Sequence, residues 1–492
     1  MRQSARPRSI QPPPSGRAPT MRLAAHDVQA SADELIRFHH LFDHVFRRHE
    51  QREWSALYLC GQLSNLERKT LEPIVLAFRG TDRNTVRGLQ QFISQGTWSA
   101  EKLILRLQQL VADWLGDPAG VVIVDGSGFP KQGPASVGVA RQYCDAVGKV
   151  ANSQEGVFMV YASPRGYAFL DERLYVHASW FGEDQRERWQ ACDLPKTLAF
   201  QTEPDLALDM LRNLVRRGSV PFRWVAADAH FGGIPDFLDA VDSLGKRYLI
   251  EVPCDTRVWL HTPVIEPPGR GVLGRPRTKP HVSRRAPKPR ELRELAAGLP
   301  KTAWTRYLVK EGSQGPLVYD FAFLRVTTVR EGLPGPRTWV VFRRRRYPAP
   351  ELKFYLSNAP TTCPRAEFVR VSGLRWPIET ALEEGKGEVG MDHFETRSWV
   401  SWHHHFAQVF MAHLFLMHLC LVFKKKPGID SAPSASAHRR CLGSRTGRPF
   451  RYSRSHCLPA TTELCRISCP SPTPHAAQSL IFTWASTVTK VS

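Results

Sequence analysis

Apolar residues recur every three or four positions through the first quarter of the chain. The stretches ELIRFHHLFDHVF and EKLILRLQQLVADWL both show this spacing, which is typical of helices that bury one face. We therefore predict a helical N-terminal domain over residues 21–115, which could bind DNA or only pack. Residues 1–20 carry Pro and charge without an apolar stretch, so we expect disorder there or a true start at Met21.

From residue 116 to 252 the pattern changes to short apolar runs. VVIVD, GVFMVYAS (156–163) and YAFLDERLYV (167–176) predict three strands. A helix is predicted to begin after Pro204 and to end at Gly218, and FRWVAAD then predicts a strand that ends at Asp228. Another helix, IPDFLDAVDSLG, and another strand, RYLIEVP, follow. This order predicts an α/β fold built on a mixed sheet, with residues 116–252 as the first part of a catalytic domain.

Residues 253–358 break this alternation of helix and strand. They include LVYDFAFLRVTTVR and TWVVFRRRRY, which predict strands, and a Pro- and Arg-rich stretch over residues 270–290 without an acidic residue. We interpret the segment as a β-rich basic insertion. The stretch at 270–290 is either a solvated loop or a surface for DNA phosphates.

Two segments complete the chain. Residues 359–426 are expected to return to the catalytic domain. Residues 427–492 are rich in Ser, Pro, Arg and Cys without periodicity, which predicts a disordered tail or a frame-shifted one.

One apolar run imitates a membrane span. It extends from Phe406 to Phe423 but contains Gln408, His413 and His418, and it is barely long enough to cross a bilayer. We interpret it as a buried core helix, and we expect no contact with a membrane.

Charge narrows the class of partner. Lys and Arg number 67 against 46 Asp and Glu, a net charge of +21, which favours nucleic acid or an anionic membrane surface. A basic protein without a polyanionic partner stays open on charge alone.

The cysteines indicate a reducing compartment. Six of them are widely separated, with no CxxC pair or zinc-like spacing: Cys60, Cys144, Cys192, Cys254, Cys363 and Cys420. We expect reduced core residues in a cytoplasmic protein.

Three acidic residues are candidates for catalysis. Asp125 and Asp228 come at the predicted ends of two strands, and Glu379 lies on a predicted late helix, 103 and 151 residues apart in order. Carboxylates brought together in this way suit Mg²⁺ or Mn²⁺. Two such ions about 3.5–4 Å apart can cleave a phosphodiester.

Each acidic residue also has a structural interpretation. Asp125 could cap a turn through Ser127 and Gly128. Asp228 could cap a helix that begins near Pro235. Glu379 could pair with Arg375, four residues earlier, at a helix surface.

Other motifs are set aside. His403, His404 and His405 are consecutive on a predicted helix and cannot face one ion. GKGEVG has neither a preceding strand nor the spacing of a nucleotide-binding loop, so we expect no nucleotide cofactor. Lys131, just after the first acid, could contact DNA or be a solvated loop residue.

Three blocks of sequence carry a family resemblance. VDGSGFPKQGPASVGVARQYCDAVGKVANSQEGV, WVAADAHFG and RWPIETALEEGKGEVGMDHFETRSW resemble insertion-sequence transposases of the DDE superfamily. More narrowly, they resemble the group with a Tyr-Arg-Glu-Lys signature and a β-rich insertion. The resemblance extends from about Leu35 to Phe423.

The resemblance implies a fold, an activity and a set of partners. Asp125, Asp228 and Glu379 would be metal-binding catalytic acids on a ribonuclease-H-like sheet, the site of two Mg²⁺ or Mn²⁺ ions. Arg375 and Lys386 would grip DNA phosphates. The partners would be double-stranded DNA, at the element ends and the target, and further copies of the chain, in the nucleoid region of a bacterial-type cytoplasm.

One signature position departs from the family. Ser372 stands where the signature has Tyr. A catalytically inactive, DNA-binding remnant of a transposase and a stand-alone metal-dependent endonuclease are therefore kept as alternatives.

Overall fold

The chain begins with a layer of helices. The computed structural model describes residues 20–21, 25–81, 83–268, 278–312, 315–345, 350–424 and 467–468. After the two-residue strand β1 (Thr20–Met21), five helices precede the first sheet: α1 (Ala25–His40), α2 (His49–Leu63), α3 (Leu71–Arg79), α4 (Arg83–Ser94) and α5 (Ala100–Leu115). The helices predicted from the three- and four-residue spacing are confirmed. The predictions of disorder lie outside the described residues, except for residue 20 and residues 467–468.

A mixed sheet follows the helices. Its strands and helices are β2 (Val121–Pro130), β3 (Ala140–Cys144), β4 (Lys149–Ser163), β5 (Gly166–Tyr175), α6 (Arg186–Ala191), α7 (Glu203–Arg217), β6 (Trp224–Ala227), α8 (Ala229–Gly232), α9 (Pro235–Ser243) and β7 (Arg247–Tyr248). The strand order is β3-β4-β2-β6-β7, and β5 also pairs with β4. The pairs β2–β6 and β6–β7 are parallel, whereas β4 is antiparallel to its partners. The sheet is therefore mixed, as predicted.

The first strand owes its position to its apolar run. The side chains of Val121, Val122, Ile123 and Val124 are fully buried, because β4 and β6 flank the strand and helices cover the sheet. The prediction that the strand ends at Asp125 is wrong. Strand β2 continues to Pro130, because β4 is long enough to pair with it from Val121 to Pro130, although β6 pairs with it only as far as Val124.

A second, curled antiparallel sheet contains the predicted β-rich segment. Its elements, with the small β10–β11 ribbon, are β8 (Ile250–Glu251), β9 (Arg257–Trp259), β10 (Ile265–Glu266), β11 (His281–Val282), β12 (Arg290–Glu291), α10 (Leu292–Ala297), β13 (Thr305–Gly312), β14 (Gly315–Arg330), β15 (Leu333–Arg345) and β16 (Glu351–Ser357). The order is β12-β9-β14-β15-β16-β8, with β13 also on β14. Since β7 and β8 are separated only by Leu249, one stretch of chain links the two sheets. Of the basic stretch 270–290, residues 270–277 lie outside the described residues.

Three helices and a short strand complete the described chain: α11 (Arg365–Gly373), α12 (Trp376–Val389), α13 (Trp399–Lys424) and β17 (Ile467–Ser468), which pairs with β1. Helix α13 is long and apolar enough to span a membrane, but 83% of its most apolar window is buried inside the protein. The prediction of a buried core helix is thus confirmed.

Polar residues of α13 are each bonded within the protein. Their partners lie in the N-terminal helices, in β5 and in α12: His403 with Glu172, His404 with the carbonyls of Ile93 and Trp98, His405 with Tyr58, Gln408 with Ser55, His413 with Glu384, and His418 with Glu34. Satisfied polar groups of this kind are what permits such a helix to occupy a protein interior. The three consecutive histidines have three different partners.

Five of the six separated cysteines are buried thiols, as predicted, and all six are free. Cys254 is exposed, so its assignment to the core is wrong. It lies three residues after the end of β8, in the loop before β9, where the chain is at the surface.

Candidate active site

Asp125 lies where β2 changes from two partner strands to one. Beyond Val124, β6 has ended, and β2 continues beside β4 alone. The Asp125 side chain is 19% exposed, and its Oδ1 accepts the Gly126 backbone N–H at 3.0 Å. The chain does not turn at Ser127 and Gly128, so the turn-capping interpretation of Asp125 is wrong.

Asp228 follows directly after β6. Because β2 and β6 are parallel and paired up to Val124 and Ala227, both acidic residues lie directly after the last paired residues of these neighbouring strands. Oδ1 of Asp228 accepts the backbone N–H groups of His230 and Phe231 at 3.0 and 3.4 Å. Asp228 is therefore an N-cap, but of the short helix α8 and not of the helix at Pro235.

Glu379 lies in the first turn of α12 and meets the site through Arg375. The Arg375 Nη2 atom is 2.9 Å from Glu379 Oε1, and Nη1 is 3.6 Å from Asp125 Oδ2. The spacing of four residues thus forms the predicted helical pair. The same guanidinium also lies close to Asp125 on β2, so the Arg375–Glu379 pair belongs to a larger cluster.

The carboxylates of this cluster carry more negative charge than the nearby Arg375 guanidinium balances. Burial, together with the nearby charges of Asp228 and Glu379, raises the pKa of Asp125 to about 7, against the opposing effects of Arg375 and the Gly126 N–H. For Arg375, burial lowers the pKa, but Asp125, Glu379 and Glu251 raise it above its usual value. One cation is thus shared among several acids in a poorly solvated place.

Sequence reasoning missed three members of the site. Glu251 Oε2, at the end of β8, lies 3.8 Å from Arg375 Nε and 3.0 Å from Lys353 Nζ. His230 Nε2 lies 3.4 Å from Glu203 Oε2, next to Asp228. His230 follows Asp228 by two residues in the run AADAHF, so its place beside that acid could have been predicted. No local pattern indicated Glu203 or Glu251.

The two predicted DNA-binding lysines make protein contacts here. Lys386 Nζ donates to Ser127 Oγ at 2.8 Å and to the Gly128 carbonyl at 3.2 Å, so it lies beside the strand that carries Asp125. Lys131 Nζ donates to the Phe394 carbonyl at 2.8 Å and lies 3.3 Å from the centre of the Phe394 ring. Burial lowers the Lys131 pKa to about 8. The alternative of a solvated loop lysine is therefore wrong for Lys131.

Ser372, at the position of the signature Tyr, is also turned inward. Its side chain is buried in α11, and its hydroxyl donates to the Val369 carbonyl at 2.8 Å. It presents no surface to a ligand.

The donor set suits a hard divalent cation in its chemistry. Asp125, Asp228 and Glu379 supply carboxylate oxygens, the ligands that Mg²⁺ and Mn²⁺ prefer. Within the described ranges, however, no group of three or more His, Cys, Asp or Glu side chains forms a ready-made metal site. The Arg375 guanidinium lies between Asp125 and Glu379, and its buried Nη1 has no hydrogen-bond partner. The residues thus fit an ion once Arg375 releases the carboxylates.

The chain has a recognisable family. Residues 40–316 match the family described as DDE superfamily endonuclease, and the chain belongs to that family. The matched range contains Asp125 and Asp228 but ends before Arg375, Glu379 and Lys386.

Individual relatives are more distant. The chain is 28% identical over 337 residues to a probable transposase for insertion sequence element IS701 from Microchaete diplosiphon, covering 68% of this chain and 74% of that one. The crystal structure of the NurA nuclease from Sulfolobus solfataricus aligns with 60% of this chain and 86% of that one, at 12% identity and a TM-score of 0.26. A score this low supports no argument about function.

Proposed function

We propose that this protein is a transposase that cuts DNA at the ends of an insertion sequence and joins the freed 3′-OH to target DNA. The observation that carries the proposal is the cluster in which the Arg375 guanidinium lies between Asp125 and Glu379, with Asp228 close enough to Asp125 for its charge to raise the Asp125 pKa. Membership of the DDE endonuclease family and the relative named as a probable transposase support it.

The three acids would hold the metal. Two Mg²⁺ or Mn²⁺ ions bound there would lower the pKa of an attacking water and offset charge on the phosphate during in-line displacement. Asp125 is the central ligand in this proposal, because it faces both other acids. Its elevated pKa is caused first by burial of the carboxylate and then by the charges of Asp228 and Glu379, which Arg375 offsets only in part.

Arg375 and Lys386 would position the DNA. When cations neutralise Asp125 and Glu379, the Arg375 guanidinium becomes available to a phosphate, for which its planar donor geometry is suited. Lys386, held by Ser127 and the Gly128 carbonyl, would add a second positive charge at the same strand. Lys131 is a weaker candidate for a DNA contact, since its ammonium is already packed on Phe394.

The proposal includes a domain arrangement. Residues 116–252 and 359–426 would form a ribonuclease-H-like catalytic domain interrupted by the β-rich insertion 253–358, after a helical domain at 21–115. Homo-oligomers would pair two DNA ends. No nucleotide hydrolysis would be required.

A joining assay tests the function. Purified protein is given Mg²⁺, a target plasmid and a pre-cut duplex that ends in the terminal repeat flanking the gene. We expect plasmid joined to the duplex with wild-type protein and none with Asp125→Ala, which should still bind DNA. Cutting without joining would identify a stand-alone endonuclease, and binding without either would identify an inactive remnant.

A further inference from the structure

The three acidic partners of Arg375 meet three different nitrogens of its guanidinium. Nη2 lies 2.9 Å from Glu379, Nη1 lies 3.6 Å from Asp125, and Nε lies 3.8 Å from Glu251 Oε2. Asp125 and Glu379 are proposed metal ligands, whereas Glu251 lies on β8 in the second sheet. The two terminal nitrogens thus face the proposed metal ligands, and the Nε atom faces an acid outside that set.

Glu251 has a counter-charge of its own. Lys353 Nζ, on β16, donates to Glu251 Oε2 at 3.0 Å, and this is the oxygen that lies nearest to Arg375 Nε. Because Lys353 already offsets its charge, Glu251 is less suited to a divalent cation than Asp125 or Glu379. Glu251 therefore stays available to Arg375 when the other acids bind metal.

The backbone of Glu251 is held by two contacts. Glu251 pairs with Tyr355 on β16. In addition, a Cβ atom at Gly232 would overlap the carbonyl oxygen of Glu251, so only glycine allows α8 to pack this closely against β8. Since Asp228 is the N-cap of α8, this packing fixes the backbone of Glu251 relative to a proposed metal ligand.

This geometry separates the role of Glu251 from that of the catalytic acids. Once Asp125 and Glu379 bind cations, they no longer hold Nη1 and Nη2, whereas the contact between Nε and Glu251 remains. Both terminal nitrogens are then available to one phosphate, which is the two-pronged arrangement that guanidinium groups favour. Without Glu251, the charge of the bound cations would repel an Arg375 side chain that has lost its acidic partners.

We propose that Glu251 is a positioning residue that holds Arg375 through its Nε atom, so that both terminal nitrogens can bind a DNA phosphate. This inference rests on the proposed function, since it takes the ligand of Arg375 to be DNA at the cut site. Lys353 limits the strength of the hold, because it shares Glu251 Oε2 with Arg375.

DNA binding without chemistry tests this role. Full-length protein in Mg²⁺ is bound to the pre-cut terminal-repeat duplex with a 3′-dideoxy end, which cannot be joined. Glu251→Gln should weaken binding about tenfold, the loss of one charge-assisted contact, although removal of a negative charge alone would strengthen it. In the background of Arg375→Ala, Glu251→Gln should have no further effect; an undiminished loss there would overturn the proposal.

Glu351→Gln is the matched control. Glu351 lies on β16 within ion-pair distance of the same Lys353 and of Arg345, and among the described residues it forms no ion pair with Arg375. The variant removes an equal charge beside Lys353 and should leave the affinity for the duplex unchanged. A loss as large as that in Glu251→Gln would show that Glu251 acts through Lys353 and not through Arg375. Thermal unfolding of each variant identifies a folding defect.

Metal binding without DNA gives a second measurement, which does not depend on whether Glu251→Gln folds. Lys353→Met removes the competitor for Glu251 Oε2, so Arg375 should shift toward Glu251 and away from the proposed metal ligands. Mn²⁺, followed by the EPR signal of the free ion, should then bind about fivefold more tightly. This gain should disappear in the background of Arg375→Ala. An equal gain without Arg375 would mean that Lys353 acts only through its charge, and would overturn the proposal.

Failure of this inference differs from failure of the proposed function. If Glu251→Gln binds the duplex as tightly as wild type, or more tightly, Glu251 does not position Arg375, even where the wild-type protein joins DNA. If the wild-type protein neither cuts nor joins DNA in Mg²⁺, the proposed function fails, whatever the affinity of Glu251→Gln.

Discussion

Two buried carboxylates on different parts of the mixed sheet have pKa values shifted in opposite directions. Under helix α13, Glu172 accepts hydrogen bonds from His403 at 2.6 Å and from Trp402 at 2.9 Å. Burial raises its pKa, but the charge and hydrogen bonds of His403 and Trp402 hold the pKa below its usual value. At the candidate active site, Asp125 faces two other acids and has its pKa raised to about 7.

The comparison separates support from function. Glu172 is buried with enough partners to remain charged, so it fastens α13 to β5. Asp125 is buried with too few hydrogen-bond and charged partners to offset its negative charge, so it retains affinity for an added cation. Unfavourable local electrostatics of this kind are common at catalytic sites, and the four predictions below test the difference.

The largest change in stability is expected when Glu172 is replaced. Glu172→Leu would leave the His403 and Trp402 ring nitrogens buried without their acceptor, at a cost of about 3–5 kcal/mol in the free energy of unfolding. Denaturant unfolding measures this loss. Glu172→Gln keeps one acceptor and should cost less; equal losses in the two variants would contradict the role assigned to the hydrogen bonds.

Acid should weaken the same helix. Burial lowers the pKa of His404 from 6.5 to about 4, so between these pH values the unfolded chain binds a proton that the folded one does not. Stability is then retained above pH 6.5 and lost as the pH falls toward 4, by about 3 kcal/mol for this residue. Unfolding measured across this window should show a shallower pH dependence in His404→Gln. A slope identical to that of wild type would contradict the assignment.

Divalent ions should act only at the other site. Mg²⁺ at a hundredfold excess over its Kd should stabilise the folded protein by about 2.7 kcal/mol, seen as a rise in Tm without DNA. Asp125→Asn should abolish most of this rise, and Glu172→Gln should keep it. A Mg²⁺ effect of the same size in Asp125→Asn would place the ion elsewhere.

The smallest expected change in stability is a gain, whereas Glu172→Leu should cause a loss. Asp125→Asn removes a charge whose pKa is raised from 3.8 to about 7, so it should stabilise the metal-free protein at pH 8 by about 1–2 kcal/mol. The full rise corresponds to about 4 kcal/mol, but Arg375 loses a partner. Below pH 3.8 the carboxyl is protonated in both states, and the stabilisation should disappear. Destabilisation at pH 8 would show that the Arg375 pair outweighs the repulsion among the acids.

Much of the fold could be predicted because the signals are local. The periodicity of α5, the Pro204 and Gly218 boundaries of α7 and the apolar run of β2 act within a few residues. Helix α7 spans Glu203–Arg217, with Gly218 in the left-handed conformation after it. The buried α13 was distinguishable from a membrane span by its internal polar residues.

The site was predictable only in part. The sequence supplied the three acidic residues and the Arg375–Glu379 spacing, but the course of β2 beyond Asp125 depended on pairing with β4, which no local signal reveals. Glu251 joined the cluster because the stretch Arg247–Glu251 passes from one sheet to the other.

The sequence by itself determined which segments are helical or extended, which acidic residues end apolar runs, and that the chain is strongly basic, because these properties depend on neighbouring residues and on composition. Tertiary structure alone decided which acids share one arginine and which carboxylates have partners. Those outcomes depend on contacts between residues more than a hundred positions apart, where burial and the local balance of charge are set by packing.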